Sequence, residues 1–425
     1  MYAELPDVPP VVPLLIFEVY AKSGDYDESR KRLKALLPEL KAQSEVYRIE
    51  SVGRYGSAKA TGMDVYLDGG LNLFTGNGAC QAWTCRQQQA NRIARSIGLI
   101  ADTIWVTDYF TDRFCNFGRV TNRKLDAVMS DMLVLAELLP LIVAGIVKFR
   151  TPWVPSCAGC MQYFEDQVDA ITEGLTHDYA SEFSFETQAD GVYSFHTGTA
   201  YEPPLKLMLV PRTKEGVKPL AKNEHIHDFV YNAVRSALWT GRDAALGRGA
   251  VFSNSKIGLA GLALQEGTVR NRSELQLLDD SRSIIMPWVS DLSPAQIVQL
   301  RGEAAKALPM LRALLARHLS EGGEGSSTKN MINDLRAQAV EVRNELENTQ
   351  KYSMKYWKTA YVTLGFGLSA YGVATEQVLP AVGGLLPLLT LLMTHKAGTE
   401  KDIDKLERKP GYVLVKAQDL LAHDH

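Results

Sequence analysis

The chain has 425 residues, of which 46% are hydrophobic, 22% charged and 8% aromatic. One hydrophobic core stops growing near ~250–300 residues, so several structural units are expected, and this composition excludes a disordered, collagenous or many-spanning membrane protein. Lys and Arg number 46 against 49 Asp and Glu, for a net charge of −3, so no bulk positive field marks a nucleic-acid binder.

Five cysteines, an odd number in so long a chain, do not make a disulfide framework. The first residues lack the basic start of a secretory signal, and Pro9, Pro10 and Pro13 interrupt their apolar run. Both features point to a reducing cytoplasm.

In chain order, Leu33, Leu36, Leu37 and Leu40 recur at helical spacing and predict a helix over 27–43. Met63 to Phe74 alternates on both sides of Gly69-Gly70, which reads as a β-hairpin because a Gly pair tolerates the positive φ of a tight turn. A helix is expected from Cys85 to Ile97, a strand over 100–107, a helix over 121–143 and a strand over 146–154. This alternation suits a parallel or mixed sheet covered by helices. Residues 183–211 read as antiparallel strands. Helices then dominate, at 226–240 and at 293–319, the latter opened by Ser293 as cap and Pro294 in the first turn. The Gly- and Ser-rich stretch 322–328 is the clearest linker.

The expected fold is therefore α+β and helix-rich. An α/β-type unit over 1–155 holds a mixed sheet with packed helices, and a small antiparallel region covers 156–223. A helical unit follows over 224–321, and a C-terminal helical module with an apolar hairpin over 328–425. In that module Ile332, Leu335, Ala339, Val342 and Leu346 take alternating three- and four-residue steps, as a packed helix requires. The next 36 residues, 359–394, contain one charged side chain, Glu376. Two apolar arms meeting there would each reach about 25 Å, marginal against a hydrocarbon layer of ~30 Å. Lys355, Lys358 and Lys396 flank the outer ends and fit the positive-inside tendency. Five Gly and two Pro within the stretch suit a closely packed hairpin inside the protein equally well. A membrane contact through 359–394 and a buried hairpin both stand as readings.

Two groups of side chains carry chemistry. Cys157-x-x-Cys160 with Cys80 and Cys85 supplies the four thiolates of a structural zinc site, although 71 residues separate Cys85 and Cys157. A redox role for Cys157 and Cys160 is the weaker alternative, since no obvious helix follows the motif in the sequence. Asp102 and Asp108 bracket the strand around Ile104–Val106, and Asp108, at its carboxyl end, is the better-placed acid. Either carboxylate could take a proton or a metal ion, and the plainer role for Asp108 is to begin the next turn. Arg86, Arg92 and Arg95 make one helix cationic, most simply on a solvated face. No phosphate-binding loop, dinucleotide fingerprint or nucleophile elbow is present in the sequence.

Three stretches, Arg86–Asp108, Pro140–Cys160 and Met286–Arg301, resemble uncharacterised bacterial proteins associated with mobile and anti-phage defence loci. The resemblance implies a bacterial origin and a role in conflict. The leading expectation is an effector or sensor component in anti-phage defence. Its C-terminal hairpin would engage the inner membrane, a protein partner or a second copy of the chain. The alternative is a cytoplasmic enzyme acting on a nucleotide or nucleic acid, with structural zinc and with Asp102 or Asp108 in its site.

Overall fold

The computed structural model describes residues 5, 7–51, 64–74, 82–95, 97–152, 156–187, 193–201, 204–209, 222–247, 249–265, 292–320, 334–335, 337–344, 371–374 and 402–423. A short helical run over Val11–Pro13 and Leu14–Tyr20 precedes α1, Tyr26–Glu50, whose N-cap Asp25 accepts the Glu28 amide at 2.8 Å. Strand β1, Asp64–Asp68, leads through the turn Gly69–Leu71 to α2, Trp83–Arg95, and then to β2, Thr103–Thr107. Helices α3, Phe110–Cys115, and α4, Asn122–Val143, precede β3, Val147–Arg150. After α5, Ala158–Tyr179, come β4, Ser184–Thr187, β5, Tyr193–His196, and β6, Lys206–Leu209, all antiparallel. Helix α6, Lys222–Gly247, leads to β7, Ala250–Ser253, and α7, Lys256–Gln265. Last come α8, Pro294–Glu303, α9, Leu308–Ser320, β8, Tyr371–Ala374, α10, Asp402–Glu407, and α11, Gly411–His423.

The main sheet runs β3-β2-β1-β7-β8, parallel except for β8, which pairs antiparallel with β7. The chain steps outward from β1 to β3 and then returns to the other side of β1. Right-handed crossovers require the two directions to use opposite faces of the sheet. Alternation along the strands shows this division. Val65, Leu67, Ile104, Val106, Val147, Phe149 and Phe252 enter one core with residues of α1, α2, α4, α8 and α11. Tyr66, Trp105 and Val251 enter the other with residues of α5, α6, α7 and the small sheet. The fold is α+β and helix-rich, a mixed sheet between helices with a separate three-stranded antiparallel sheet, as expected.

Four local expectations change. Gly69-Gly70 does not turn a hairpin: β1 ends at Asp68 and pairs in parallel with both β2 and β7. The segment 224–321, expected as a helical unit, also supplies β7, an interior strand of the main sheet. The helix expected over 293–319 breaks between α8 and α9 at 304–307, although Ser293 caps it as expected and the structure adds Gln296 to complete a capping box. Within 359–394 the described residues are Tyr371–Ala374, and they form an edge strand where a helical arm was expected; the rest of that stretch lies outside the described residues, as does the linker 322–328. Leu335, Val342 and Val413 share the core that holds Leu15 and Leu135, so parts of the C-terminal module close the same core as the N-terminal sheet. Among the described residues no helix is long and apolar enough to cross a membrane.

Candidate functional site

Strand order reverses between β1 and β7, and in open α/β sheets ligands gather at the carboxyl ends of the strands beside such a reversal. Here those ends are Asp68-Gly69-Gly70 and Ser253-Asn254-Ser255, and hydrogen bonds fasten them together. The Gly70 amide donates to Asn254 Oδ1 at 2.7 Å, and Ser253 Oγ donates to Asp68 Oδ2 at 3.0 Å. Gly69 sits at φ +61, and a Cβ there would stand 2.9 Å from Asn254 Oδ1 and 3.0 Å from Ser253 Oγ. Glycine is thus required twice over, by backbone conformation and by the approach of the second turn.

Helices complete the enclosure. Ser236 of α6 donates to Asp68 Oδ1 at 2.6 Å, and Thr240 Oγ1 lies 3.4 Å from the same oxygen. The start of α7 is fixed by Ser255, whose Oγ accepts the Gly258 amide at 3.0 Å and whose own amide donates to Ser253 Oγ at 3.1 Å. A Cβ on Gly258 would lie 3.0 Å from Ala237 Cβ and 3.3 Å from Asp68 Oδ2, so this glycine lets the first turn of α7 close on α6 and on the carboxylate. Tyr201, buried and lying between β5 and β6 in the chain, bridges to Ser255 and shares a side-chain hydrogen bond with it. Arg150, at the end of β3, is buried with Asp243 as its ion-pair partner and donates to Thr240 at 2.9 Å.

Burial is the largest influence on Asp68 and raises its carboxyl above the usual range, against the donors Ser236, Gly69 and Ser253. The Arg150 charge also lowers it but does not outweigh the desolvation, and groups shifted by burial concentrate at functional sites. The neighbouring strand end is linked by Asn72, whose Nδ2 donates to Thr107 Oγ1 at 2.9 Å.

The residues expected to carry chemistry fall elsewhere. Asp102 and Asp108 lie at opposite ends of the five-residue β2, so they do not share a site. Asp102, at the amino end, pairs with Arg312 at 2.8 Å. Asp108 accepts the Phe110 and Thr111 amides at 3.0 Å each and the Thr111 hydroxyl at 2.5 Å, which opens α3. Burial pushes its carboxyl up to about 6 even so. Cys80 lies outside the described residues, and Cys85, Cys157 and Cys160 are exposed thiols that form no disulfide. Among the described residues no group of three or more His, Cys, Asp or Glu side chains converges to hold a metal. Cys157 does open a helix, as the N-cap of α5, which corrects the sequence reading of that motif. Arg86 is not on a solvated face: it is buried, pairs with Asp131 and donates to the Leu73 carbonyl at 2.8 Å.

Sequence reasoning missed Asp68, Ser253, Asn254, Ser255 and Tyr201. The available signals were an apolar strand ending in Asp-Gly-Gly and a second one ending in a Ser that caps a helix. Comparison with family models, curated proteins and solved structures finds no match.

Proposed function

We propose that this chain binds a small ligand of the nucleotide class at the carboxyl edge between β1 and β7. The observation that carries the reading is the fastening of Asp68-Gly69-Gly70 to Ser253-Asn254-Ser255 where the strand order reverses. The chemistry of the edge suggests the ligand class. Asp68 is an acceptor suited to sugar hydroxyls, while the Gly-Gly backbone and the N-terminal end of α7 suit phosphate oxygens. Any acid–base step would fall to Asp68 in preference to Asp102 or Asp108.

Calorimetric titration of the full-length chain with ribonucleoside mono-, di- and triphosphates, cyclic nucleotides and dinucleotides tests this. At least one should bind, and Gly69→Ala and Asn254→Ala should each weaken it at least about tenfold, or ~1.4 kcal/mol. Binding by none of them, or equal binding by both variants, contradicts the proposal.

A second reading rests on β8. This strand lies inside the apolar stretch 359–394 and pairs with β7, placing Tyr371 opposite Ser253. Four residues of the stretch expected to engage a membrane or partner, Tyr371–Ala374, therefore pair with the strand that carries half of the site. In this reading the chain is a sensor or effector, as its resemblance to defence-associated proteins implies, and occupancy of the edge governs how firmly the stretch is held.

A further inference from the structure

The first turn of α5 carries two thiols that the switch-point site does not use. Cys157 is the N-cap residue, with φ −73 and ψ 159, and its Sγ accepts the Cys160 amide at 3.3 Å. Cys160 lies three positions on, where helical side chains are neighbours and within the range a disulfide spans. Both residues are exposed, and their side chains are hydrogen-bonded to one another. The pair is asymmetric. The Cys160 amide and then the Cys160 thiol hold the Cys157 thiol below its ordinary range, while Cys157 raises Cys160. Low thiol pKa at a helix N-terminus marks the attacking sulfur of exchange reactions. The helix beneath is well anchored: Arg235 of α6 pairs with Glu165 at 2.8 Å, and the Phe164 and Trp239 rings lie 4.5 Å apart.

We propose that Cys157 and Cys160 form a thiol–disulfide exchange site whose co-substrate is an accessible disulfide, with Cys157 attacking and Cys160 resolving. In the first step the Cys157 thiolate attacks one sulfur of the incoming disulfide. A mixed disulfide forms, the incoming S–S bond breaks, and one thiolate leaves to take a proton from water. In the second step Cys160 gives its proton to water and attacks Cys157 Sγ. The Cys157–Cys160 bond forms as the second thiolate leaves and is protonated. The chain's dithiol loses two electrons, and one disulfide becomes two thiols. Cys115 is outside this chemistry, because burial raises its thiol.

The test treats reduced full-length protein with glutathione disulfide, with and without a chelator, and follows intact mass and peptide maps. Wild type should lose two hydrogens at a Cys157–Cys160 link. Cys160→Ser should accumulate glutathione on Cys157, and Cys157→Ser should acquire it on Cys160 at least about tenfold more slowly. Alkylation of Cys157 should have its midpoint below the ~8.5 of a free thiol. Glutathione persisting on Cys157 in wild type would overturn the proposal. So would Cys160 reacting first, or both thiols being protected until the chelator is added, which would assign them to a zinc site. Melting curves of the two exposed-site variants verify that each is folded.

Discussion

At the scale of single residues, two buried aspartates end neighbouring strands and are put to different uses. Asp108 is consumed locally by three donors from its own following turn, and Asp68 receives donors from α6 and β7, far away in sequence. The sequence made Asp108 visible because a turn follows a clear strand. Nothing local distinguishes Asp68, since its partners are 168 and 185 residues away. The elevated Asp108 carboxyl also has a thermodynamic consequence. Its folded value of about 6 exceeds the ordinary ~4, so the folded chain holds this proton more tightly than the unfolded chain does. Its contribution is fully present below pH ~4 and is lost as pH rises through about 6, on the order of 3 kcal/mol in all. Asp108→Asn keeps the acceptor for the two amides and cannot titrate. Urea unfolding at pH 4.5 and 7.5 should therefore show a smaller acid-to-neutral loss in the variant than in wild type. Equal losses in the two proteins would show that Asp108 does not titrate as described.

Individual elements show what the sequence could and could not disclose. The cap at Ser293 is legible because it acts on its own first turn, and the antiparallel strands of the small sheet because they pair close in sequence. Parallel β1 reads in the sequence as half a hairpin because a Gly pair permits positive φ in either setting, and parallel pairing leaves no local mark. Strand β7 is four residues long between helices, too short for an alternation to register. Strand β8 bears on the apolar stretch. Its backbone pairing with β7 ties Tyr371–Ala374 to the sheet, so release of this strand would free the β7 edge within a nearly uncharged stretch of sequence. Full-length protein should float with anionic liposomes more strongly when the switch-point ligand changes that seating, and Leu385→Glu with Leu389→Glu should abolish the difference. Flotation unaffected by ligand and by both substitutions would remove the membrane output.

Across the whole molecule, the polarity of the sheet separates tasks. The amino ends of the strands are tied by structural ion pairs such as Asp102 with Arg312, which fasten α9 to the sheet. The carboxyl ends of β1, β2, β3 and β7 carry Asp68, Thr107, Asp108, Arg150, Ser253 and Asn254, all buried. Helices α2 and α4 fill one face and α6 and α7 the other, so the reversal between β1 and β7 is a consequence of chain handedness. A buried polar group is costly unless it is paired, and a chain of hydrogen bonds from Ser255 to Ser253, and from Ser253 and Ser236 to Asp68, supplies partners to this carboxylate and links the two turns.

Hydrogen–deuterium exchange of the full-length chain, with and without the nucleotide found by titration, tests the location of the site most directly. Amides over 68–72 and 253–258 should gain protection together on binding, and Gly69→Ala should suppress the gain in both segments. Protection confined to α8 and α11, with these two turns unchanged, would place the ligand elsewhere and contradict the switch point as its site.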